Sequence, residues 1–112
     1  MTLKPSLRAN EFERFKDVKE TVSISATDSS SSASFSSLKS DTVKDVLIQN
    51  LDGTNEVYVN WGTTAVTAAT TDARIGPLDA ISLDDVGFTH FAAVCSSTET
   101  AIVRVTGISR NV

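Results

Sequence analysis

The residues best suited to acid–base or nucleophilic chemistry are the single histidine, His90, and the single cysteine, Cys95. A catalytic base needs a partner that orients it and a nucleophile that it activates. Both residues lie in the segment Thr89 to Cys95, whose composition favours a β-strand. Successive side chains of a strand point to opposite faces, so His90 and Cys95 should face opposite sides. We therefore expect no Cys–His pair and no metal site here, and we expect Cys95 to be a small buried residue.

A second candidate is a group of aspartates, because hard cations such as calcium prefer clustered carboxylates. Asp84 and Asp85 are adjacent, and Asp79 and Asp72 precede them. Their spacing is not that of a calcium-binding loop, and neighbouring strand residues point to opposite faces. The sequence therefore favours a solvated turn that starts after Leu83.

Two aromatic residues, Tyr58 and Trp61, raise the possibility of a carbohydrate platform. In the segment Val57 to Trp61 the apolar residues alternate with period two, which predicts a strand. Trp61 then shares a face with Val57 and Val59, as a core residue should, and Tyr58 lies on the other face. A buried Trp61 is thus the expected arrangement, and a sugar-binding ring is the alternative.

The sequence contains no glycine-rich phosphate loop, no zinc-spaced set of Cys and His residues and no nucleophile elbow. We therefore expect a protein that is not an enzyme and that carries no cofactor.

Length and composition limit the remaining classes. The chain has 112 residues, enough for one domain, and 40% of them are hydrophobic, which allows a folded core. Serine and threonine account for 29 residues, a content that favours strands and turns over helices. The net charge of -4 argues against nucleic-acid binding, and no apolar run is long enough to cross a membrane. A lone cysteine excludes an intramolecular disulfide, and the sequence is typical of a protein made in the cytoplasm.

Short apolar runs separated by turn signals begin after residue 40 and predict an all-β fold, a small antiparallel β-sandwich of jelly-roll type. We assign the sandwich to residues 41–112. The predicted strands are Val43 to Gln49, Val57 to Trp61, Ala80 to Leu83, Thr89 to Cys95 and Thr100 to Thr106, preceded by a half-exposed strand at Thr21 to Ile24. Residues 74–79 are predicted to form a turn around Pro77.

Residues 1–40 differ from the rest and are interpreted as an extended N-terminal arm. Within it, Phe12, Phe15 and Val18 recur every three residues with charges between them, which predicts a short amphipathic helix over residues 10–19. Asn10 is a suitable N-cap for this helix, and Glu13 completes a capping box. The serine-rich stretch 27–37 is predicted to be a loop or long connection, with a serine-rich edge strand as the less favoured alternative.

Four segments carry a resemblance to small virion proteins of tailed bacteriophages. They are Ile48 to Leu51, Val57 to Ala68, Arg74 to Leu78, and the strand Thr89 to Cys95 with its opening Thr-His pair. The resemblance covers about residues 43 to 107 and rests on a pattern of short strands. It implies a compact β-sandwich that decorates or cements a phage head, or less often serves in the tail or the head-tail connector. It carries no active-site residues.

The resulting interpretation is a capsid decoration protein on the virion surface. It would bind the major capsid protein and associate with itself, most simply as a homotrimer, with the arm as a clasp. The arm residues expected to make the contact are the apolar anchors Phe12, Phe15 and Val18, with Arg14 and Lys16 pairing with carboxylates of the shell. The alternatives are a tail or connector protein that forms a ring and a carbohydrate-binding module of the virion surface.

Overall fold

The computed structural model describes residues 17–39 and 43–110, and within these ranges the chain forms eight β-strands. The strands are β1 (Asp17–Ala26), β2 (Ser31–Ser34), β3 (Lys44–Asn50), β4 (Val57–Gly62), β5 (Ala73–Ile75), β6 (Ala80–Val86), β7 (His90–Val94) and β8 (Ala101–Arg110). The described ranges contain no helix that is long and apolar enough to cross a membrane.

The strands form two four-stranded sheets. Sheet A has the order β1-β8-β3-β6 and sheet B has the order β2-β7-β4-β5, with antiparallel pairing throughout. The first strand pairs with the eighth, the second with the seventh, the third with the sixth and the fourth with the fifth. This is the pairing of one long hairpin rolled into two layers, the arrangement of a jelly roll. The predicted all-β antiparallel sandwich is confirmed.

Alternation along the strands builds the core between the sheets. In β3, Lys44, Val46, Ile48 and Asn50 are buried, and the residues between them are partly exposed. The same period places valines of β4 and β8 inside. The main apolar cluster contains Ile24, Ala26, Phe35, Leu38, Val46, Ile48, Val57, Val59, Ile75, Phe91, Ala93, Cys95, Ala101, Val103 and Val105. Side chains from both sheets therefore fill the interior.

The segment assigned to the arm differs from the expectation. Strand β1 includes the predicted strand Thr21 to Ile24 and pairs along its whole length with β8. Part of the serine-rich stretch forms β2, an edge strand of sheet B, so the less favoured alternative is the one observed. The reason is that Phe35 and Leu38, which follow β2, are buried in the main cluster and hold this polar strand in place. The described part of the sandwich thus starts at Asp17 rather than at residue 41.

Two residues of the segment after β2, Phe35 and Leu38, lie directly against Gly107 of sheet A. Gly107 of β8 lies between Glu20 of β1 and Val46 of β3 in the strand register. A Cβ atom at Gly107 would stand 2.7 Å from Cζ of Phe35 and 2.8 Å from Cδ1 of Leu38. Glycine is therefore required here for close packing, and its φ angle is not positive.

Gly107→Ala should lower the free energy of unfolding by about 1–3 kcal/mol, because the added methyl group displaces Phe35 and Leu38 from a packed core. The matched control is Gly53→Ala, since nothing lies within 4 Å of a Cβ at Gly53. We expect the control to change the free energy by no more than about 0.5 kcal/mol. Urea denaturation of both variants measures the difference, and equal effects would contradict the packing argument.

Candidate functional site

Strand β1 fixes the place in the sandwich at which the described chain begins. Asp17 pairs with Arg110, so the segment before it starts at the end of sheet A where β8 finishes. The predicted contact residues Phe12, Arg14, Phe15 and Lys16 lie outside the described residues, as do positions 10–16 of the predicted helix. Val18 lies in β1 opposite Ser109, and residues 17–19 are strand. Val18 therefore belongs to an extended strand rather than to a helical apolar stripe.

A carboxylate ties the segment after β2 to β1. Glu20 Oε2 accepts hydrogen bonds from Ser36 N at 2.7 Å and Ser36 Oγ at 3.0 Å. Glu20 Oε1 accepts from Ser37 N at 2.8 Å and Leu38 N at 3.1 Å. Three successive backbone N–H groups thus converge on one side chain, which holds the segment that covers Gly107.

These contacts change the acidity of Glu20. Partial burial by itself raises the pKa of the Glu20 carboxyl, but the N–H groups of Ser36, Ser37 and Leu38, with the Ser36 hydroxyl, together outweigh it and hold the pKa below its ordinary value of 4.5. A carboxyl whose pKa is lower in the folded state stabilises the fold above its unfolded pKa. That stabilisation is lost as the pH falls through the folded pKa.

Glu20→Gln should lower the free energy of unfolding at neutral pH by about 1 kcal/mol, because charge-assisted hydrogen bonds to the backbone are weakened. The difference from the wild type should shrink between about pH 6 and about pH 3, as the wild-type carboxylate becomes protonated. Urea denaturation across this pH range tests it. Asp28→Asn removes the same charge from an exposed position and controls for the change in net charge, so an equal loss of stability in the two variants at neutral pH would refute the assignment.

The structure separates His90 from Cys95 as the alternation predicts. His90 starts β7 on the outer face of sheet B, and its Nδ1 lies 2.9 Å from Thr89 Oγ1. Cys95 lies in the main core, its side chain 1% exposed. No group of three or more His, Cys, Asp or Glu side chains within residues 17–39 and 43–110 is placed to hold a metal ion.

Burial determines the chemistry of Cys95. It raises the pKa of the thiol, and the negative charges of Glu99 and Asp52 raise it further. Sγ lies 3.8 Å from the carbonyl oxygen of Ala26. The thiol is therefore kept protonated and shielded, the opposite of a reactive nucleophile.

The four aspartates considered as a cation site lie in two separate loops and in strand β6. Asp72 accepts a hydrogen bond from Ala69 N at 2.8 Å, and Asp79 accepts one from Ala80 N at 2.8 Å. The turn predicted after Leu83 is wrong, because β6 continues through both Asp84 and Asp85 to Val86 and pairs with β3. Leu83 pairs with Val46 and Val86 with Lys44, and the register shifts between these two pairs, so the adjacent aspartates lie at an irregularity within the strand.

The two candidate platform rings face opposite sides of sheet B. Trp61 packs against the main core, and its ring centroid lies 6.4 Å from that of Phe88. Tyr58 lies on the outer face, where it packs against a small cluster of Ala68, Ala92 and Val94. The two rings therefore share no surface on which one sugar could stack.

Residues 63–72 cover this outer face of sheet B. Asn60 Nδ2 donates to the Thr67 carbonyl oxygen at 2.9 Å, and Ala68 N donates to Ser30 Oγ at 2.9 Å. As a result Ala92, in the middle of β7, is fully buried although it faces away from the main core.

Tyr58 is further engaged at its hydroxyl group. Its OH donates to Glu56 Oε1 at 2.5 Å, and Arg74 Nε donates to Glu56 Oε2 at 2.6 Å. The hydrogen bond from Arg74, followed by that from Tyr58, lowers the pKa of the Glu56 carboxyl. The same hydrogen bond to Glu56 raises the pKa of Tyr58.

The outer face of sheet A, by contrast, is exposed. Ile102 and Ile108 of β8 are 46% and 37% exposed and lie on this face with Arg104. The serines and threonines of β1 flank them, with Thr21 opposite Thr106 and Ser23 opposite Arg104. This hydroxyl-rich face with scattered isoleucines is the broad exposed surface of the described sandwich.

Sequence reasoning missed one unusual surface residue, Leu78. It lies in the turn Gly76–Asp79, has a φ of 59°, and is 72% exposed. The left-handed conformation at this turn position favours glycine or asparagine. The available signal was a leucine directly after Gly76 and Pro77, where a turn was already predicted.

No protein-family model and no curated protein matches the sequence. Solved structures do match. A Bacillus endospore appendage of a family of disulfide-linked pili aligns with a TM-score of 0.56 and 15% identity, over 86% of this chain and 89% of that chain. A chain of the cyanophage Pam1 capsid asymmetric unit aligns with a TM-score of 0.51 and 16% identity, over 86% of this chain and 85% of that chain.

A third match is the protein TT1209 from Thermus thermophilus, with a TM-score of 0.50 and 15% identity, over 87% of this chain and 85% of that chain. Cupin domains also match, with TM-scores from 0.42 to 0.48. At these identities the likeness shows the fold alone. The fold is shared by structural proteins of a virion and of a pilus.

Proposed function

We propose that this protein is a structural component of a tailed-phage virion that decorates the outer surface of the head and stabilises the shell. It performs no enzymatic reaction. The observation that carries the proposal is a jelly roll whose interior is filled by its own side chains. Residues 1–16, which precede β1, add a basic segment with two phenylalanines. The likeness to a cyanophage capsid chain supports the same role.

The difference between the covered face of sheet B and the exposed face of sheet A supports a role in binding other proteins. One sheet face is covered by the chain's own residues 63–72, and the other presents exposed side chains of β1, β6 and β8. A domain of this size makes a modest contact by itself. Many copies on a symmetric shell add such contacts together, which is how a small protein reinforces a large particle.

The partners in this proposal are the major capsid protein and further copies of the chain, most simply in a homotrimer. Phe12, Phe15 and Val18 are the apolar anchors, and Arg14 and Lys16 pair with carboxylates on the partner surface. The backbone of Val18 belongs to β1, which starts at Asp17. Contacts between copies are noncovalent, because Cys95 is buried in the core.

Separating phage particles into heads and tails tests the location. Quantitative mass spectrometry should find this protein in the head fraction, near a fixed stoichiometric ratio to the major shell subunit. A signal that follows the tails, or a few copies per particle, would contradict the decoration role and favour a tail or connector ring.

Deleting residues 1–16 tests the attachment segment. The truncated chain keeps β1 and the Glu20 contacts, so it should unfold at the same urea concentration as the full chain. Its binding to heads that lack the protein should fall by at least about tenfold. The double variant Arg14→Glu with Lys16→Glu leaves the length unchanged and should weaken binding most at low salt, because charge pairs are screened by salt. Undiminished binding of the truncated chain would refute the role of this segment.

A further inference from the structure

The loops at one end of the sandwich form a distinct acidic surface. We call this end, opposite to the start of β1, the far end. It consists of residues 27–30, 51–56, 76–79 and 95–100, which connect successive strands. These loops contain no lysine or arginine and the five carboxylates Asp28, Asp52, Glu56, Asp79 and Glu99. Arg74, at the edge of this end, is paired with Glu56.

An exposed apolar residue stands at the tip of the far end. Leu78 is 72% exposed, and its φ of 59° is a left-handed conformation that is less favourable for an L-residue with a side chain than for glycine. Its turn is closed by a hydrogen bond from Asp79 N to the Gly76 carbonyl oxygen at 3.1 Å. The fold therefore holds a leucine side chain outward, at a position where it adds strain and little burial.

Two further exposed apolar residues lie near this turn along the backbone hydrogen bonds, one in the segment bonded to the turn and one in the strand bonded to that segment. Leu51 is 36% exposed and Ile102 is 46% exposed, and Leu51 N donates to the Ile102 carbonyl oxygen at 2.9 Å. Leu78 N donates to the carbonyl oxygen of Asp52, the residue after Leu51, at 3.0 Å. Hydrogen-bonded backbone segments thus carry three exposed apolar residues, Leu51, Leu78 and Ile102, among the carboxylates of the far end, and we call these three residues the apolar patch.

A buried asparagine makes this patch rigid. Asn50, 1% exposed, donates through Nδ2 to the carbonyl oxygens of Asn55, Ile75 and Gly76 at 2.8, 3.2 and 3.1 Å. Its Oδ1 accepts a hydrogen bond from Asp52 N at 2.9 Å. One side chain therefore joins the loop that carries Leu51 to the turn that carries Leu78.

The chain itself contains a segment of complementary chemistry. Residues 1–16 hold four of the ten basic residues and two of the fourteen acidic ones, a net charge of +2. The remaining residues hold six basic and twelve acidic side chains, a net charge of -6. Phe12 and Phe15 supply aromatic groups in this basic segment. Opposite charges around an apolar contact orient the two surfaces and speed their association.

The number of residues between Phe12 and β1 determines whether the aromatic residues of the same molecule or those of a second copy can contact the patch. Asp17 lies at one end of β1 and Ala26 at the other, nine residue steps that span about 30 Å. Phe12 precedes Asp17 by five residues and so lies at most about 18 Å from it. The aromatic residues of one molecule therefore cannot reach the far end of the same molecule.

We infer that the far end of each molecule, centred on Leu78, binds the basic aromatic segment before β1 of a second copy. The contact is head to tail, because two different surfaces meet. Such contacts close into a ring or continue as an open chain. The inference goes beyond the proposed function, since it concerns purified copies in solution and holds wherever the virion carries the protein.

Light scattering coupled to size-exclusion chromatography of the full chain tests the inference. At up to about 1 mM protein in low salt the wild type should associate, and Leu78→Asn should weaken association by at least about tenfold. Asparagine tolerates positive φ, so this variant should melt at the same or a higher temperature than the wild type. Val43→Asn, at another exposed apolar residue outside the far end, is the control and should associate normally.

Mixing two defective variants tests the head-to-tail geometry. The Phe12→Ser and Phe15→Ser double variant has an intact far end, and Leu78→Asn has an intact segment. Each should be a monomer alone, and their mixture should form a one-to-one pair that dissociates at high salt. The inference fails if the wild type stays monomeric, if Leu78→Asn associates normally, if Val43→Asn is equally impaired, or if the mixture remains monomeric. These results are independent of the head fractionation, so either proposal can fail without the other.

Discussion

The ten-residue antiparallel pairing of β1 with β8 is the contact on which the rest of the sandwich depends. It brings the two ends of the described chain together, so the six strands between them belong to the loop of chain that this pairing closes. The second strand then meets the seventh, and the inner pairs follow in the same order. Pairing of such distant segments is entropically costly and makes folding slow. The burial of Ile24, Val103 and Val105 along this pairing opposes that cost.

The connection between β1 and the second sheet depends on two small features that act together. Gly107 leaves room for Phe35 and Leu38, and Glu20 collects the backbone N–H groups of the same segment. Phe35 also meets Phe91 of sheet B edge to face, with ring centroids 5.1 Å apart. A serine-rich strand of four residues, which has little apolar surface of its own, is thereby fixed by the residues that follow it.

Sequence patterns predicted the strands whose side chains alternate clearly. The alternation of Val57, Val59 and Trp61 gave β4, and Thr89 to Cys95 gave β7. The short strand β5 was predicted as part of a turn, because three residues are too few to show a period and Gly76 and Pro77 follow them. Val18 ends a three-residue spacing but also falls in period-two register with Val22 and Ile24, and the backbone pairing of residues 17–26 with β8 assigns it to the strand.

The candidate surfaces were less predictable than the strands. Net charge and its uneven distribution are visible in the sequence, but the gathering of Asp52, Asp79 and Glu99 at one end depends on strand order. The outward position of Leu78 depends on a backbone angle set by its turn, which no hydrophobic period encodes. The covered face of sheet B similarly requires that residues 63–72 fold back over β7, a long-range contact without a local signal.

The burial of Cys95 has a practical consequence. Its thiol lies beneath the loop that joins β1 to β2, where the backbone N–H of Cys95 donates to the carbonyl oxygen of Thr27 at 2.7 Å. An alkylating reagent therefore reaches the sulfur only when this corner of the sandwich opens. The rate of alkylation therefore reports how often this corner opens, and Cys95 serves as an intrinsic probe of local unfolding.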